Sequence, residues 1–214
     1  MIFDIIGTGP GSPDYLLPIA ARHIRDARVL VGAPRLLETF AEDGQERFVY
    51  QSNLPDVLGF VDVERNKQKV AVLVSGDPGF YSLLGVFARR FSKDEYRVIP
   101  GVSSFQIAAA GTGRPWQKDL LISCHGREPV DFTVDAAEAL FSGRRVIFLT
   151  DPVRHPGALA KELIKVCGKE SGSRRVWIGK DLTMAEEAFK EDSLEALASG
   201  HGDWESGLCV LIVK

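Results

Sequence analysis

Short apolar runs alternate with glycine-rich turns and helical patterns along most of this chain. Residues 1–6 form an apolar stretch interrupted only by Asp4, and Gly7-Thr8-Gly9-Pro10-Gly11-Ser12-Pro13 follows as a turn. Leu16, Ala20, Ile24 and Ala27 then recur at near-helical spacing. Pro18 falls in the first turn of that helix, where a missing N–H is tolerated. Residues 27–32, centred on Val29-Leu30-Val31, predict a second buried strand. The run KVAVLVS at 69–75 predicts a third, entering Gly76-Asp77-Pro78-Gly79 and then a helix over 81–91. A short strand at 97–100 leads through Gly101-Val102-Ser103-Ser104 into an alanine-rich helix at 105–110.

Strand, glycine turn and helix in repeated order is the pattern of an α/β protein with a parallel sheet. Runs without alternation suit strands covered on both faces. The segment GTGRP at 111–115 reads as a linker. Beyond it the pattern predicts strands at 120–123, 145–149, 175–178 and 208–213, a helix at 157–167, and a short helix LEALA capped by Ser193. The expectation is two α/β lobes, 1–112 and 113–214.

Composition narrows the class without changing it. A chain of 214 residues with 45% hydrophobic and 26% charged residues can bury a core without disulfide or metal staples. A net charge of −3 argues against a dedicated nucleic-acid binder. No apolar run approaches the length of a membrane span, and the amino terminus lacks the basic segment of a signal peptide. Cys124, Cys167 and Cys209 are scattered and form no CxxC pair, which fits a reduced, cytoplasmic compartment.

Three glycine turns, each between a strand and a helix, are the main chemical signal, because ligands of open α/β sheets bind beyond the carboxyl ends of the strands. The first turn carries Gly7-x-Gly9, but Ser12 stands where a dinucleotide fingerprint has its third glycine, and the second strand ends at Gly32-Ala33-Pro34 without a ribose-binding acid. A P-loop and a GxSxG elbow are absent. His23 reads as a surface helix residue and His201 as part of a polar loop. Neither these nor His125 and His155 have metal-ligand spacing, so no metal is expected. His125-Gly126-Arg127 follows a strand; it reads equally as an exposed loop or as a cation pair that grips carboxylates.

The segments IIGTGPGSPDYL (5–16), VSGDPGFYSLL (74–84) and IPGVSSFQIAAA (99–110) together resemble the tetrapyrrole methylase family, the class III methyltransferases. They fall in the family's order and separations, and the resemblance covers essentially the whole chain. The stretch 101–127, with its proline-tryptophan pair and HGR, is most similar to the CbiE type, which methylates carbon 5 of cobalt-precorrin-7 or precorrin-6Y. The resemblance implies S-adenosylmethionine bound in the cleft between two α/β lobes. By motif match it implies cofactor contacts from Pro10, Ser75, Gly76, Asp77, Phe80, Ser103, Ser104 and Leu149. A substrate rich in carboxylates implies a cationic lining, for which Arg35, Arg114, His125, Arg127 and Arg154 are the candidates. The family also implies a homodimer, and a separate decarboxylating C(15)-methyltransferase as a partner. Pro18 departs from the polar residue more typical of the family, and Gly79 makes the second turn permissive.

The mechanism implied is direct methyl transfer. The acceptor carbon is an enamine-type nucleophile, so alignment with the sulfonium methyl replaces covalent catalysis, and no general base is assigned. Three rival readings stay open at this point. One is a nucleotide-dependent oxidoreductase. Another is a methylase of the same fold acting on another tetrapyrrole carbon, ribosomal RNA or a modified histidine. The third is a non-enzymatic tetrapyrrole carrier.

Overall fold

The computed structural model describes all residues except 51, 52, 126–131, 201, 203, 205 and 206. The chain forms two compact units, Met1–Ser103 and Ser104–Lys214. Arg127 and His201 therefore lie outside the described residues.

The first unit is a five-stranded parallel sheet with helices on both faces. Its strands are β1 (Phe3–Gly7), β2 (Val29–Gly32), β3 (Glu46–Val49), β4 (Val70–Val74) and β5 (Tyr96–Ile99), in the order β3-β2-β4-β1-β5. Its helices are α1 (Pro18–Asp26), α2 (Pro34–Phe40), α3 (Leu54–Glu64) and α4 (Leu84–Arg90). Successive strand residues point to opposite faces. Thus Phe3, Ile5, Val70 and Val72 join Val57 and Val61 of α3 and Phe87 of α4 in one cluster. Ile6, Ala71 and Leu73 join Ala20 and Ile24 of α1 and Leu36 and Leu37 of α2 in another. This two-sided burial is why these strands read as unbroken apolar runs. Pro18 occupies the first turn of α1, as expected.

The second unit is also α/β, but its sheet is mixed. Its strands are β6 (Leu120–Ser123), β7 (Val146–Leu149), β8 (Arg175–Lys180), β9 (Ala188–Ser193) and β10 (Cys209–Val213), in the order β6-β7-β10-β8-β9. β6 and β7 pair in parallel; β10 runs antiparallel to both β7 and β8, and β9 is antiparallel to β8. Apolar burial alone cannot reveal strand direction, because β10 is buried along its whole length like any central parallel strand. The helices are α5 (Ser104–Gly111), α6 (Thr133–Phe141), α7 (Pro156–Cys167) and α8 (Leu194–Ala198). Ser193 caps α8 by accepting a bond from Ala196 N.

The expected lobe boundary at 112 and the compact division at Ser103/Ser104 differ by the length of α5. That helix packs on β7, β8 and β10 and so belongs with the second unit. His23 is not the surface residue expected: it is half-buried, and its Nδ1 lies 2.8 Å from Asp4 Oδ2. Cys124, Cys167 and Cys209 are all buried, and none of them is in a disulfide.

Candidate functional site

In the first sheet β1 lies between β4 and β5, and all three run in parallel. The three glycine turns therefore leave adjacent strands at one edge. Backbone bonds tie the first to the second. Thr8 N and Oγ1 both donate to Val74 O, at 2.9 and 3.0 Å, and Gly76 N donates to Gly9 O at 2.8 Å. Gly9 and Gly76 take positive φ, +85° and +66°, which a side chain would strain. The third turn crosses closely over the first. A Cβ built on Gly101 would lie 2.9 Å from Gly7 Cα, and one on Gly7 would lie 2.7 Å from Gly101 N. Only glycine permits this approach.

Asp77 joins the second turn to the third. Its Oδ1 accepts Gly79 N at 2.8 Å and its Oδ2 accepts Gly101 N at 3.1 Å. Each carboxylate oxygen keeps a further lone pair for an amino or hydroxyl group. Arg35, on α2, reaches the same edge and donates from Nη2 to Ser75 Oγ at 3.1 Å. Ser75 is exposed, Gly76, Asp77 and Phe80 are half-buried, and Pro10 and Ser103 are buried. The structure thus gathers Pro10, Ser75, Gly76, Asp77, Phe80, Ser103 and Arg35 at one strand edge. The helix expected from 81 begins at Leu84, because Tyr81 turns the chain with φ +50°.

In the second unit, His125 follows β6 and Leu149 ends β7. The two strand ends are registered by Ser123 opposite Leu149 and by Cys124 N donating to Leu149 O at 2.9 Å. His125 is exposed, with Nδ1 3.2 Å from Ser123 Oγ. Arg154 lies in the turn after β7. Asp151 Oδ1 accepts Val153 N and Arg154 N at 2.9 and 2.7 Å, and Oδ2 meets Arg154 Nη1 at 3.1 Å. Burial opposes ionisation of Asp151, but the N–H groups of Arg154 and Val153, with the Arg154 guanidinium, outweigh it and hold its carboxyl below the ordinary value. This brace was legible in principle, since Asp-Pro-x-Arg is a turn with a side-chain acceptor at its head.

Arg114 stands apart from His125, Leu149 and Arg154. It is exposed on the connector from α5 to β6, at the opposite ends of these strands. That connector is fixed by Arg145, whose guanidinium donates from Nε and Nη2 to Asp119 at 3.2 and 2.6 Å, from Nη2 to Pro115 O at 2.8 Å and from Nη1 to Thr112 Oγ1 at 3.2 Å. Ser104 opens α5. Among the described residues no cluster of metal-ligating side chains occurs, and no helix is long and apolar enough to cross a membrane.

Backbone-lined ends of parallel strands, braced by a carboxylate, mark one strand edge of this α/β protein as its candidate ligand site. The chain belongs to the tetrapyrrole (corrin/porphyrin) methylases, whose family model it matches over residues 3–198. It is 31% identical over 208 residues to the cobalt-precorrin-7 C(5)-methyltransferase of Salmonella typhimurium, covering 97% of each chain. It is 30% identical over 199 residues to a probable cobalt-precorrin-7 C(5)-methyltransferase of Methanocaldococcus jannaschii, covering 92% of this chain and 91% of that one. In fold it is similar to the precorrin-6Y methylase CbiE of Archaeoglobus fulgidus, with a TM-score of 0.71 at 24% identity over 100% of this chain and 97% of that one. It is also similar to the uroporphyrin-III C-methyltransferase of Thermus thermophilus solved with S-adenosylhomocysteine, with a TM-score of 0.77 at 20% identity, over 99% and 97%.

Proposed function

We propose that this protein is an S-adenosylmethionine-dependent C-methyltransferase of corrin biosynthesis that methylates carbon 5 of cobalt-precorrin-7 or precorrin-6Y. The observation that carries the reading is the end-to-end similarity to the Salmonella enzyme, at 97% of both chains. The residues present fit the cofactor. The Gly7 and Gly101 backbones leave no room for side chains at the turn junction, Gly76 holds a positive φ that a side chain would strain, and Asp77 retains acceptor capacity after bracing both turns.

S-adenosylmethionine, when bound, supplies an electrophilic methyl group to the nucleophilic ring carbon. In this reading Ser75, Gly76, Asp77, Phe80 and Ser103 orient it, with Pro10 shaping the first turn. Ser104 and Leu149 are assigned to the cofactor on the motif match. Arg35, His125, Arg127 and Arg154 bind substrate carboxylates through charge-assisted hydrogen bonds. Alignment of methyl and acceptor within about 3–3.5 Å supplies the acceleration. Arg114, at the other end of its sheet, is a weaker member of the set. The reading includes a cytoplasmic homodimer and a separate enzyme for the carbon-15 step.

Calorimetric titration with S-adenosylhomocysteine, with NAD as control, tests this proposal. We expect one micromolar site per chain for the former and none for NAD, followed by methyl transfer to cobalt-precorrin-7. Binding of NAD alone overturns the reading in favour of an oxidoreductase. Tetrapyrrole binding with neither nucleotide overturns it in favour of a carrier.

A further inference from the structure

We propose that Tyr81 contacts the substrate, its ring serving as the face against which the conjugated macrocycle of the methyl acceptor lies. The inference rests on the methyltransferase reading above and adds a residue to it.

Three observations lead there. Tyr81 has φ +50°, in the left-handed region that a bulky aromatic residue avoids. Glycine or asparagine would make the same turn with less strain. The ring is also not spent on the core: the residue is 55% exposed, and its ring meets that of Phe80 edge-on, at 5.0 Å and 80°. A strained backbone carrying an exposed aromatic is a local inconsistency that folding alone does not explain. Finally, its position is specific. Tyr81 directly follows Ser75–Phe80, the segment assigned to the cofactor, beyond the carboxyl end of β4.

Methyl transfer requires the acceptor carbon to touch the sulfonium methyl, so the substrate must lie against the turns that hold the cofactor. The acceptor is a large, flat, conjugated ring with carboxylates at its rim. An exposed aromatic ring suits its face by offset stacking, and the nearby Arg35 guanidinium, 3.1 Å from Ser75 Oγ, suits a rim carboxylate. Tyr81, at the end of the 75–81 segment, and Arg35, bonded to Ser75 at its start, thus supply the two kinds of contact such a molecule needs.

The test compares wild type, Tyr81→Phe and Tyr81→Asn. Three quantities are measured: S-adenosylhomocysteine affinity by calorimetry, KM and kcat for cobalt-precorrin-7, and Tm. For Tyr81→Asn we expect KM to rise about tenfold, with kcat changing less, cofactor affinity within about twofold of wild type, and Tm held or raised because asparagine tolerates the turn. Tyr81→Phe keeps the ring and should retain the wild-type KM. An unchanged KM in Tyr81→Asn overturns the inference while leaving the methyltransferase reading intact. Loss of cofactor affinity in step with KM overturns it in favour of a cofactor contact, and a fall in Tm overturns it in favour of a structural role. Wild type that neither binds S-adenosylhomocysteine nor methylates the precorrin removes both the reading and the inference.

Discussion

The two units fix their loops by different means. In the first, turn is tied to turn by backbone: Thr8 to Val74, Gly76 to Gly9, and Gly101 against Gly7, with the Asp77 carboxylate bridging two turns. In the second, side-chain ions do this work. Arg145 and Asp119 clamp the connector before β6, Asp151 and Arg154 brace the turn after β7, and Asp181 accepts Leu208 N at 3.0 Å to close β8 on β10. Sheet geometry explains the contrast. Parallel neighbours bring three strand ends to one edge, close enough for main chains to bond. A mixed sheet interleaves arriving and departing strands, and here side chains reach across to fix its connections.

Breaking one clamp of each kind tests this difference. The largest effect is expected from Arg145→Ala. Arg145 and Asp119 side chains are only 8% and 6% exposed, so truncation strands a buried carboxylate and frees the carbonyl of Pro115. The expected loss is about 3–5 kcal/mol in urea unfolding. Arg145→Lys should recover only part of it, because an ammonium lacks the fork that meets both oxygens of Asp119. If Lys restores full stability, charge alone suffices and the side-chain clamp is not geometric.

Next comes Gly101→Ala. The added Cβ meets the Gly7 backbone, which cannot swing aside, and the expected cost is about 2–3 kcal/mol with loss of S-adenosylhomocysteine binding. Gly85→Ala is the control. It lies in α4 with nothing within 4 Å of a Cβ, and should stabilise by about 0.5–1 kcal/mol. Equal behaviour of the two variants in unfolding and calorimetry would remove the case for a close backbone crossing.

Asp77→Asn should cost less in stability, about 1 kcal/mol, because the residue is only half-buried. An amide presents one oxygen where the carboxylate presents two, so either Gly79 N or Gly101 N faces an NH₂ group. Calorimetry should show S-adenosylhomocysteine affinity reduced about tenfold. Unchanged affinity would assign Asp77 to the turns alone.

How far these features were legible in the sequence follows the same division. The first unit's turns could be read because glycine marks a backbone constraint directly, and the strands because two-sided burial gives unbroken apolar runs. The bonds of Asp77 to Gly79 and Gly101 could not, since they depend on β5 lying beside β1. The edge strands β3, ERFV, and β9, AFKEDS, leave no apolar run in the sequence, because edge positions carry exposed polar residues. Helix α3 carries Pro55 and Gly59, which obscure its apolar periodicity although Pro55 falls in its first turn. The antiparallel course of β10 was invisible because burial pattern carries no direction. The Arg145–Asp119 clamp of the second unit was illegible for a related reason: the two residues are 26 positions apart, and the parallel pairing of β6 with β7 brings them together.

The smallest effect, and the finest test of the side-chain clamps, is the pH response of the turn after β7. The Asp151 carboxyl is held below its ordinary value by Arg154 and Val153 N–H groups and by the Arg154 guanidinium, against the opposing effect of burial. A lowered folded-state value means the unfolded chain takes up the proton first as pH falls. The stabilisation is therefore fully present above the unfolded carboxyl value of about 4, and is lost as pH drops through the folded one. Asparagine at 151 has no such proton. The gap in urea midpoint between wild type and Asp151→Asn should be constant from pH 8 to about 5 and shrink below about 4. A gap that persists unchanged into acid would mean that the turn is held by the shape of the side chain rather than by its charge. The second unit's brace would then resemble the backbone ties of the first.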